Sequence, residues 1–407
     1  MIDALLGDDA LRLALRQLHG GDHVGDSLAR AAWSVIAEPG DGVAGALIGA
    51  LGAEGALRHA LSLDRLGRAR TAHSDMITAL EPRTQRSLAE ARARWMPRAD
   101  PQRVREAVLG AVEVGARLVI PGDEHWPFSF DDLGPHAPAA LWVRGDPRLF
   151  VQEPRVSMVG ARASSGYGDL VAAEMAGDLA ESGAVIVSGG AYGIDGAAHR
   201  AALAIGGKTV AFLAGGVDRA YPAGHHGLLR QIAREGAVVS EVPCGAAPTK
   251  WRFLARNRLI AALGQAVVVV EAGWRSGSLN TAGHAATLGR AIGSVPGPVT
   301  SPSSAGCHRL LREYDATCVT SAAEVRELLG ITSTAASAER AGSDPERVRL
   351  MDALSTRASV SSTELARRAG LSEERVHALL GLLELEGAIH RSGSGWRATA
   401  AAKGEAL

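Results

Sequence analysis

The sequence is poor in cysteine and in aromatic residues. Its three cysteines, Cys244, Cys307 and Cys318, lack the paired spacing of a metal site, and the N-terminus has no apolar stretch typical of a cleavable signal. The longest apolar runs, such as AVVVVEA, are far too short to cross a bilayer. We therefore expect a reduced, cytoplasmic protein that does not contact a membrane.

Several nucleotide-binding and catalytic motifs are also missing. The chain contains neither GxxxxGK[ST] nor GxSxG, and its glycine-rich loop at 158–168 does not have the GxGxxG spacing. The adjacent His225 and His226 point apart in any regular element, so we expect no metal and no cofactor. A formal net charge of -1 excludes nucleic-acid binding by bulk charge alone, but it allows a local basic patch.

The pattern of residues changes along the chain, which predicts distinct domains. Residues 1–115 alternate helical stretches with glycine-rich breaks, which predicts an all-helical domain. This domain is either a plain packing unit or a helix-hairpin-helix or SAM-like module that touches a nucleic-acid backbone. Residues 116–330 alternate short β-branched runs with glycines and helical patterns, which predicts an α/β fold. We expect an extended Rossmann-like, doubly wound and mainly parallel sheet, whose ligands bind outside the carboxyl ends of the strands.

The remaining residues predict a linker and a small C-terminal domain. Residues 331–344 are small and polar, as in a flexible linker. Residues 345–400 predict three helices and a hairpin, which together form a winged helix. The presumed recognition helix carries several acids, including Glu373 and Glu374, which would repel phosphate. This favours a protein contact or a regulatory role over duplex binding.

Three loops that follow predicted strands have features of anion sites. In MVGARASSGYG, Gly160 permits close approach of a ligand and Arg162 offers a forked cation beside a helix capped by Ser164 or Ser165. In VSGGAYGIDG, the turn formed by Ser188, Gly189 and Gly190 presents amides that suit a phosphate.

The third loop, VEAGWRSGS, repeats this design. Its small residues Ser276, Gly277 and Ser278 precede a helix with Thr281 in its first turn, and helix N-termini attract oxyanions. The alternative for these loops is that they are only tight turns between a strand and a helix. Two further residues are ambiguous: Glu271 is either a general base or a loop-orienting residue, and a structural role is favoured for His199.

The stretch TKWRFLARNRLIAAL, residues 249–263, combines cations with aromatic rings and contains no acid. The residues concerned are Lys250, Arg252, Arg256 and Arg258 around Trp251 and Phe253. A cationic track with interleaved aromatic rings is what single-strand binding requires, because the cations meet the backbone and the rings stack on bases. The alternative is a helix start with an apolar face and solvated cations opposite.

Taken in order, several motifs resemble one family. The motifs are VGARASSGYG, SGGAYGIDGAAHRAAL, FLAGGVDRAYPAGHHGLL, FLARNRLIAAL, VVVVEAGWRSGSLNTAGHAATLGR and SVPGPVTSPSSAGCHRLL. Over residues 120–325 they resemble the DNA-processing protein A (DprA/Smf) family. The resemblance implies a non-enzymatic, dimeric protein that binds and protects single-stranded DNA. It also implies loading of the recombinase RecA onto incoming strands during natural transformation.

The resemblance also assigns roles to residues. Arg162 matches an arginine of the family, and Ser188, Gly189 and Gly190 match its phosphate-contacting loop. Lys250 and Phe253 match a lysine and an aromatic residue that grip the strand. The triplet formed by Arg256, Asn257 and Arg258 matches the family's RNR signature.

The sequence departs from the family pattern at three positions. Ala161 stands where serine is common, Tyr192 where many members carry arginine, and Leu254 where proline is usual. Ala161 removes a possible hydroxyl contact, and Tyr192 replaces a cation by a ring on which a base could stack.

Two alternative functions stay open. Nucleotide phosphoribohydrolases have similar Rossmann-like domains, but their PGGxGT loop corresponds to EAGWRSGS in this chain. A regulator that binds duplex DNA through the winged helix is the other alternative.

Overall fold

The computed structural model describes residues 2–20, 24–61, 82–331, 345–385, 387–393 and 395–399. The chain forms two compact units, Met1–Ile331 and Thr332–Leu407. The predicted linker, apart from Ile331, lies outside the described residues.

The first unit begins with helices that pack on one another and on the sheet. These are α1 Ile2–Leu6, α2 Asp9–His19, α3 Val24–Ile36, α4 Gly42–Leu61, α5 Pro82–Trp95 and α6 Pro101–Glu113. The rings of Trp33 and Trp95 meet edge to face, with centroids 5.0 Å apart. Their hydrophobic cluster continues into Leu118 and Trp142 of the sheet. The helices and the sheet therefore share one core across residue 115.

A sheet of nine strands follows in the described part of the chain. The strands are β1 Arg117–Val119, β2 Leu141–Gly145, β3 Arg155–Val159, β4 Val185–Ser188, β5 Thr209–Phe212, β6 Ala237–Ser240, β7 Ala266–Val269, β8 Ala291–Ser294 and β9 Thr317–Cys318. Their order is β1-β2-β6-β5-β4-β3-β7-β8-β9, and every pair is parallel except β1 with β2 and β2 with β6. This confirms the mainly parallel, doubly wound α/β fold.

Helices cover both faces of the sheet. They are α7 Gly166–Glu181, α8 Ile194–Ala204, α9 His226–Glu235, α10 Lys250–Leu263, α11 Ser278–Thr287, α12 Ala305–Glu313 and α13 Ala322–Leu328. All four residues of β7 are buried, as a strand covered on both faces requires.

The order of the strands places a switch point between β3 and β7. From β3 the chain moves outward through β4, β5 and β6, and then returns to the other side of β3 with β7 and β8. The loops that follow β3 and β7 leave in opposite directions and open a crevice at the carboxyl edge of the sheet. Ligands of such folds bind at this position.

The second unit is a winged helix, as predicted. It contains α14 Pro345–Ala353, α15 Ser362–Ala369, α16 Glu373–Leu385 and the hairpin of β10 Ile389–Ser392 with β11 Gly395–Ala398. The Ser361 hydroxyl accepts from the Glu364 amide, and Gly370 ends α15 at a φ of 64°. Ser361 and Gly370 therefore cap α15 at its two ends.

Among the described helices, none combines the length and the apolarity needed to cross a membrane.

Candidate nucleic-acid interface

A cleft of about 910 Å³ lies at the switch point. Its walls come from the loop after β3, the loop after β7 and the first turns of α10. Nine of the thirteen predicted site residues line it, namely Arg162, Lys250, Phe253, Arg256, Asn257, Ser276, Gly277, Ser278 and Thr281. Ser188, Gly189, Gly190 and Arg258 do not.

The loop after β3 is held in place by Glu271. The Glu271 carboxylate accepts from the Ser165 amide at 2.8 Å, and its backbone oxygen accepts from the Ala161 amide at 2.6 Å. Ser165 in turn caps α7 by accepting from the Gly168 amide. Glu271 is buried and therefore has the loop-orienting role, while Arg162 stays exposed at the cleft.

Gly160 serves the packing of the protein itself. A Cβ atom at this position would lie 2.5 Å from the Ile194 side chain and 2.9 Å from the Glu271 oxygen. Gly160 also lines the cleft, so close approach of a ligand to its backbone stays a prediction.

The turn after β4 is already occupied by a carboxylate. Asp195 accepts from the amides of Gly189 and Ala191 at 3.1 and 3.3 Å, and the Ser188 hydroxyl donates to the Met158 carbonyl. Burial raises the pKa of Asp195, and the neighbouring Arg256 opposes that shift. Asp195 lies inside the first turn of α8, whose N-cap residue is Gly193. A phosphate contact by this turn stays a prediction, with Asp195 now competing for the amides.

The first turns of α10 present the aromatic part of the cleft. The Thr249 hydroxyl caps the helix by accepting from the Arg252 amide, and Lys250 is exposed. The Phe253 ring contacts two partners. The guanidinium carbon of Arg162 is 5.0 Å from its centroid, and the centroid of the tilted Tyr221 ring is 5.4 Å away, with 50° between the ring planes. We call this group of three side chains the Phe253 stack.

Arg256 forms the floor of the cleft. Its Nη1 atom donates to the carbonyls of Gly189 and Phe212, both at 2.7 Å, which joins the loops after β4 and β5. Its Nε atom is buried with no hydrogen-bond partner among the described residues. Burial lowers the pKa of Arg256 to about 10, and Asp195 acts in the opposite direction. Arg256 therefore remains a cation at neutral pH.

Asn257 fixes the loop after β7. Its amide nitrogen donates to the Gly277 carbonyl at 3.3 Å and to Asn280 at 3.2 Å. The hydroxyls of Ser276 and Ser278 lie 2.8 Å apart beside the N-terminus of α11. The N-cap residue of α11, Gly277, has no side chain to cap the helix, and the Ser276 hydroxyl accepts from the Ser278 amide at 3.4 Å. Because Gly277 and Ser278 line the cleft, the positive dipole end of α11 lies at its wall.

Arg258 is an ion-pair partner within the protein core. Its Nη1 and Nη2 atoms donate to the two Glu241 oxygens, each at 2.7 Å, and its Nε atom donates to the His136 carbonyl. Only 6% of the Arg258 side chain is exposed. The helix face around it is therefore not the solvated face of the alternative interpretation. The cluster is free of acids in sequence, but tertiary contacts bring Glu241 to Arg258 and Glu38 to Arg252.

Three exposed cations remain at the cleft, Arg162, Lys250 and Arg275. Among the described residues, none of the three has a carboxylate within ion-pair distance. The only acid of the lining, Asp195, is buried and bonded to amides. Arg275 and Tyr221 were missed at the level of sequence. The position of Arg275 in the VEAGWRSGS loop offered a signal, whereas nothing local identifies Tyr221.

The cleft has no features of a metal centre. Within the described ranges, no group of three or more histidine, cysteine, aspartate or glutamate side chains could hold a metal ion. His225 is instead a packing residue, since its Nδ1 atom lies 3.0 Å from the Gly190 carbonyl oxygen and its ring contacts Tyr192.

Fold and site together define a doubly wound α/β protein with a cationic, aromatic-lined cleft at its switch point and a winged helix. Residues 117–330 match the family model described as DNA recombination-mediator protein A, and residues 334–395 match the DprA winged helix domain. The chain belongs to the DprA/Smf family of DNA-processing proteins.

Individual relatives agree with this assignment. The chain is 46% identical over 310 residues to a putative DNA processing protein DprA of Mycobacterium tuberculosis, covering 72% of this chain and 79% of the relative. It is 41% identical over 203 residues to the DNA processing protein DprA of Streptococcus pneumoniae, covering 50% and 71%. The crystal structure of the Streptococcus pneumoniae protein aligns with a TM-score of 0.58 and 29% identity, covering 74% of this chain and 96% of that one.

Proposed function

We propose that this protein binds single-stranded DNA in the cleft, protects the incoming strand and loads RecA onto it during natural transformation. We further propose that it acts as a homodimer in the cytoplasm and catalyses no reaction. The observation that carries the strand-binding proposal is the set of three exposed cations at the cleft, for which the described residues supply no carboxylate partner, together with the rings of the Phe253 stack. Family membership supports the RecA and dimer proposals.

The chemistry of the cleft favours a single strand over a duplex. Flat aromatic and guanidinium faces bind bases only when those bases are unstacked, and the bases of a duplex stack on each other. The Phe253 stack offers such faces, since its members Tyr221 and Arg162 are exposed. The positive dipole end of α11 and the exposed cations attract the backbone phosphates.

Glu271 supports the non-enzymatic proposal. A general base must reach a substrate proton, but the Glu271 carboxylate is buried and accepts from the Ser165 amide. Its contacts describe a structural residue.

The first prediction concerns the dependence of binding on salt. If Arg162, Lys250 and Arg275 each neutralise one phosphate, the slope of log K against log salt should be about -0.7 × 3, or roughly -2 per protomer. If four cations contacted phosphates, with Arg256 and Arg258 among them, the slope should be roughly -3 per protomer. Fluorescence anisotropy of a labelled oligonucleotide from 50 to 300 mM salt measures this slope. A slope near zero would rule out binding by these cations.

The second prediction concerns Phe253. Phe253→Ala should weaken binding to a single strand by about 5- to 150-fold, because stacking contributes about 1–3 kcal/mol per base. Phe253→Tyr keeps the ring and serves as the matched control. The same titration with a duplex of equal sequence should show weak binding that neither substitution changes. Tight duplex binding, untouched by Phe253→Ala, would place the DNA site elsewhere in the chain.

A further inference from the structure

An exposed tryptophan stands beside the cleft and takes no part in the site described above. Trp274 is 56% exposed, whereas five of the other six tryptophans are buried. It lies between Gly273 and Arg275, both of which line the cleft.

The backbone holds Trp274 at the corner of a rigid turn. The Ser276 amide donates to the Gly273 carbonyl at 3.0 Å, which places Trp274 and Arg275 at the two central positions of a β-turn. The start of α12 packs directly behind this turn. The Gly306 amide donates to the Ala272 carbonyl at 2.7 Å, and a Cβ atom at Gly306 would lie 2.6 Å from the Gly273 oxygen. The turn is thus anchored from both sides.

The guanidinium of Arg309 packs against the indole ring of Trp274. Its guanidinium carbon is 5.2 Å from the Trp274 centroid and 5.8 Å from the Tyr314 centroid. Its Nε atom donates to Glu313 at 2.7 Å, so this cation is neutralised and fixed in orientation. An exposed indole supported by a fixed cation is a ready platform for stacking, because little side-chain entropy remains to be lost.

The surroundings of Trp274 indicate which ligand it stacks on. Arg275, its neighbour in the turn, is exposed and has no carboxylate partner among the described residues, and the N-terminus of α11 follows three residues later. This part of the cleft therefore combines a cation, a flat ring and a helix N-terminus, the same three features that occur at the Phe253 stack. A nucleobase would stack on the ring, and its adjoining phosphate would meet the cation and the helix N-terminus.

We propose that Trp274 is a second nucleobase platform, on the loop after β7 at the edge of the cleft. The strand then crosses the carboxyl edge of the sheet, with one base on the Phe253 stack, another on Trp274, and its phosphates over Arg275 and the α11 N-terminus. This inference rests on the proposed binding of single strands.

Two variants and one cross-link test the inference on the full-length protein. Trp274→Ala should weaken binding of an oligothymidylate of about twenty nucleotides by about 5- to 100-fold, whereas Trp274→Phe should restore most of the affinity. Phe128→Ala removes an aromatic side chain that is 82% exposed and does not line the cleft, so it should leave affinity unchanged. In the wild type, ultraviolet irradiation with a 5-iodouracil oligonucleotide should yield an adduct on Trp274, identified by peptide mass spectrometry.

The outcomes separate this inference from the proposed function. Unchanged affinity for Trp274→Ala, in an assay where Phe253→Ala weakens binding, would overturn the second platform alone. A wild-type protein that binds no single strand would overturn both. A change in oligomeric state caused by Trp274→Ala, without loss of DNA affinity, would make the tryptophan a protein contact and likewise overturn the inference.

Discussion

Arg258→Ala is expected to lower the free energy of unfolding by about 3–5 kcal/mol, because it leaves the Glu241 carboxylate buried without its partner. The exposed fractions of the two side chains are 6% and 11%, so little water reaches the pair. Glu241 also accepts from the Gly40 amide at 3.3 Å. The pair therefore joins α10, the end of β6 and the segment that follows α3. Chemical denaturation monitored by circular dichroism measures the loss.

Two controls show whether burial of the pair is the cause. Arg252→Ala removes a cation from a more exposed pair with Glu38, and it should cost no more than about 1 kcal/mol. The double variant Arg258→Met with Glu241→Leu replaces both charges by apolar groups and should recover much of the stability. Under conditions where Arg258→Ala is folded, its affinity for single strands should equal that of the wild type. A specific loss of affinity at unchanged stability would instead make Arg258 a DNA contact.

Acidification is expected to destabilise the protein through His199. The Nδ1 atom of this buried residue lies 2.6 Å from the Thr209 hydroxyl, whose single proton goes to the Ile186 carbonyl. Nδ1 must therefore carry the imidazole proton, and Nε2 is a bare nitrogen with no partner among the described residues. Burial lowers the pKa of His199 from 6.5 to about 3.

The sign of the pH effect follows from this lowered pKa. Above pH 6.5 the folded and unfolded forms bind the same number of protons at this residue, so its contribution to stability is complete. Below pH 6.5 the unfolded form binds a proton that the folded form does not bind. The free energy of unfolding therefore falls by about 1.4 kcal/mol per pH unit, and the total loss is about 2 kcal/mol at pH 5.

Urea denaturation from pH 8 to pH 5 measures this effect against a matched variant. His199→Asn keeps a donor for the Thr209 hydroxyl but cannot take up a proton. We expect the variant to be less stable than the wild type at pH 8 and to lose about 2 kcal/mol less between pH 8 and pH 5. Parallel pH profiles for the two proteins would show that His199 does not titrate on unfolding.

The sheet could be predicted well from the sequence because each strand is recognisable from its own run of apolar, β-branched residues. The AVVV run of β7 is apolar on both faces, which only a strand covered on both sides requires. The same patterns located the loops at the carboxyl edge, which hold or precede five of the nine predicted residues that line the cleft. The other four, Lys250, Phe253, Arg256 and Asn257, came from the acid-free cluster of cations and rings at 249–263.

The partners of those residues could not be predicted, because they are distant in sequence. The acids that pair with Arg252 and Arg258 lie 214 and 17 residues away. At the turn after β4, a glycine-rich pattern predicts free amides whether or not Asp195 folds back onto them. Tyr221 joins the Phe253 stack from another loop, through a contact that no local pattern encodes.

The triplet Arg256, Asn257 and Arg258 holds a different segment with each side chain. Arg256 donates to the ends of β4 and β5, Asn257 to the loop after β7, and Arg258 to the residues that follow β6. One turn of α10 thus sets the spacing of four loops that are far apart in sequence. An insertion of a single residue ahead of the triplet would rotate these three side chains by about 100° and release all four loops together.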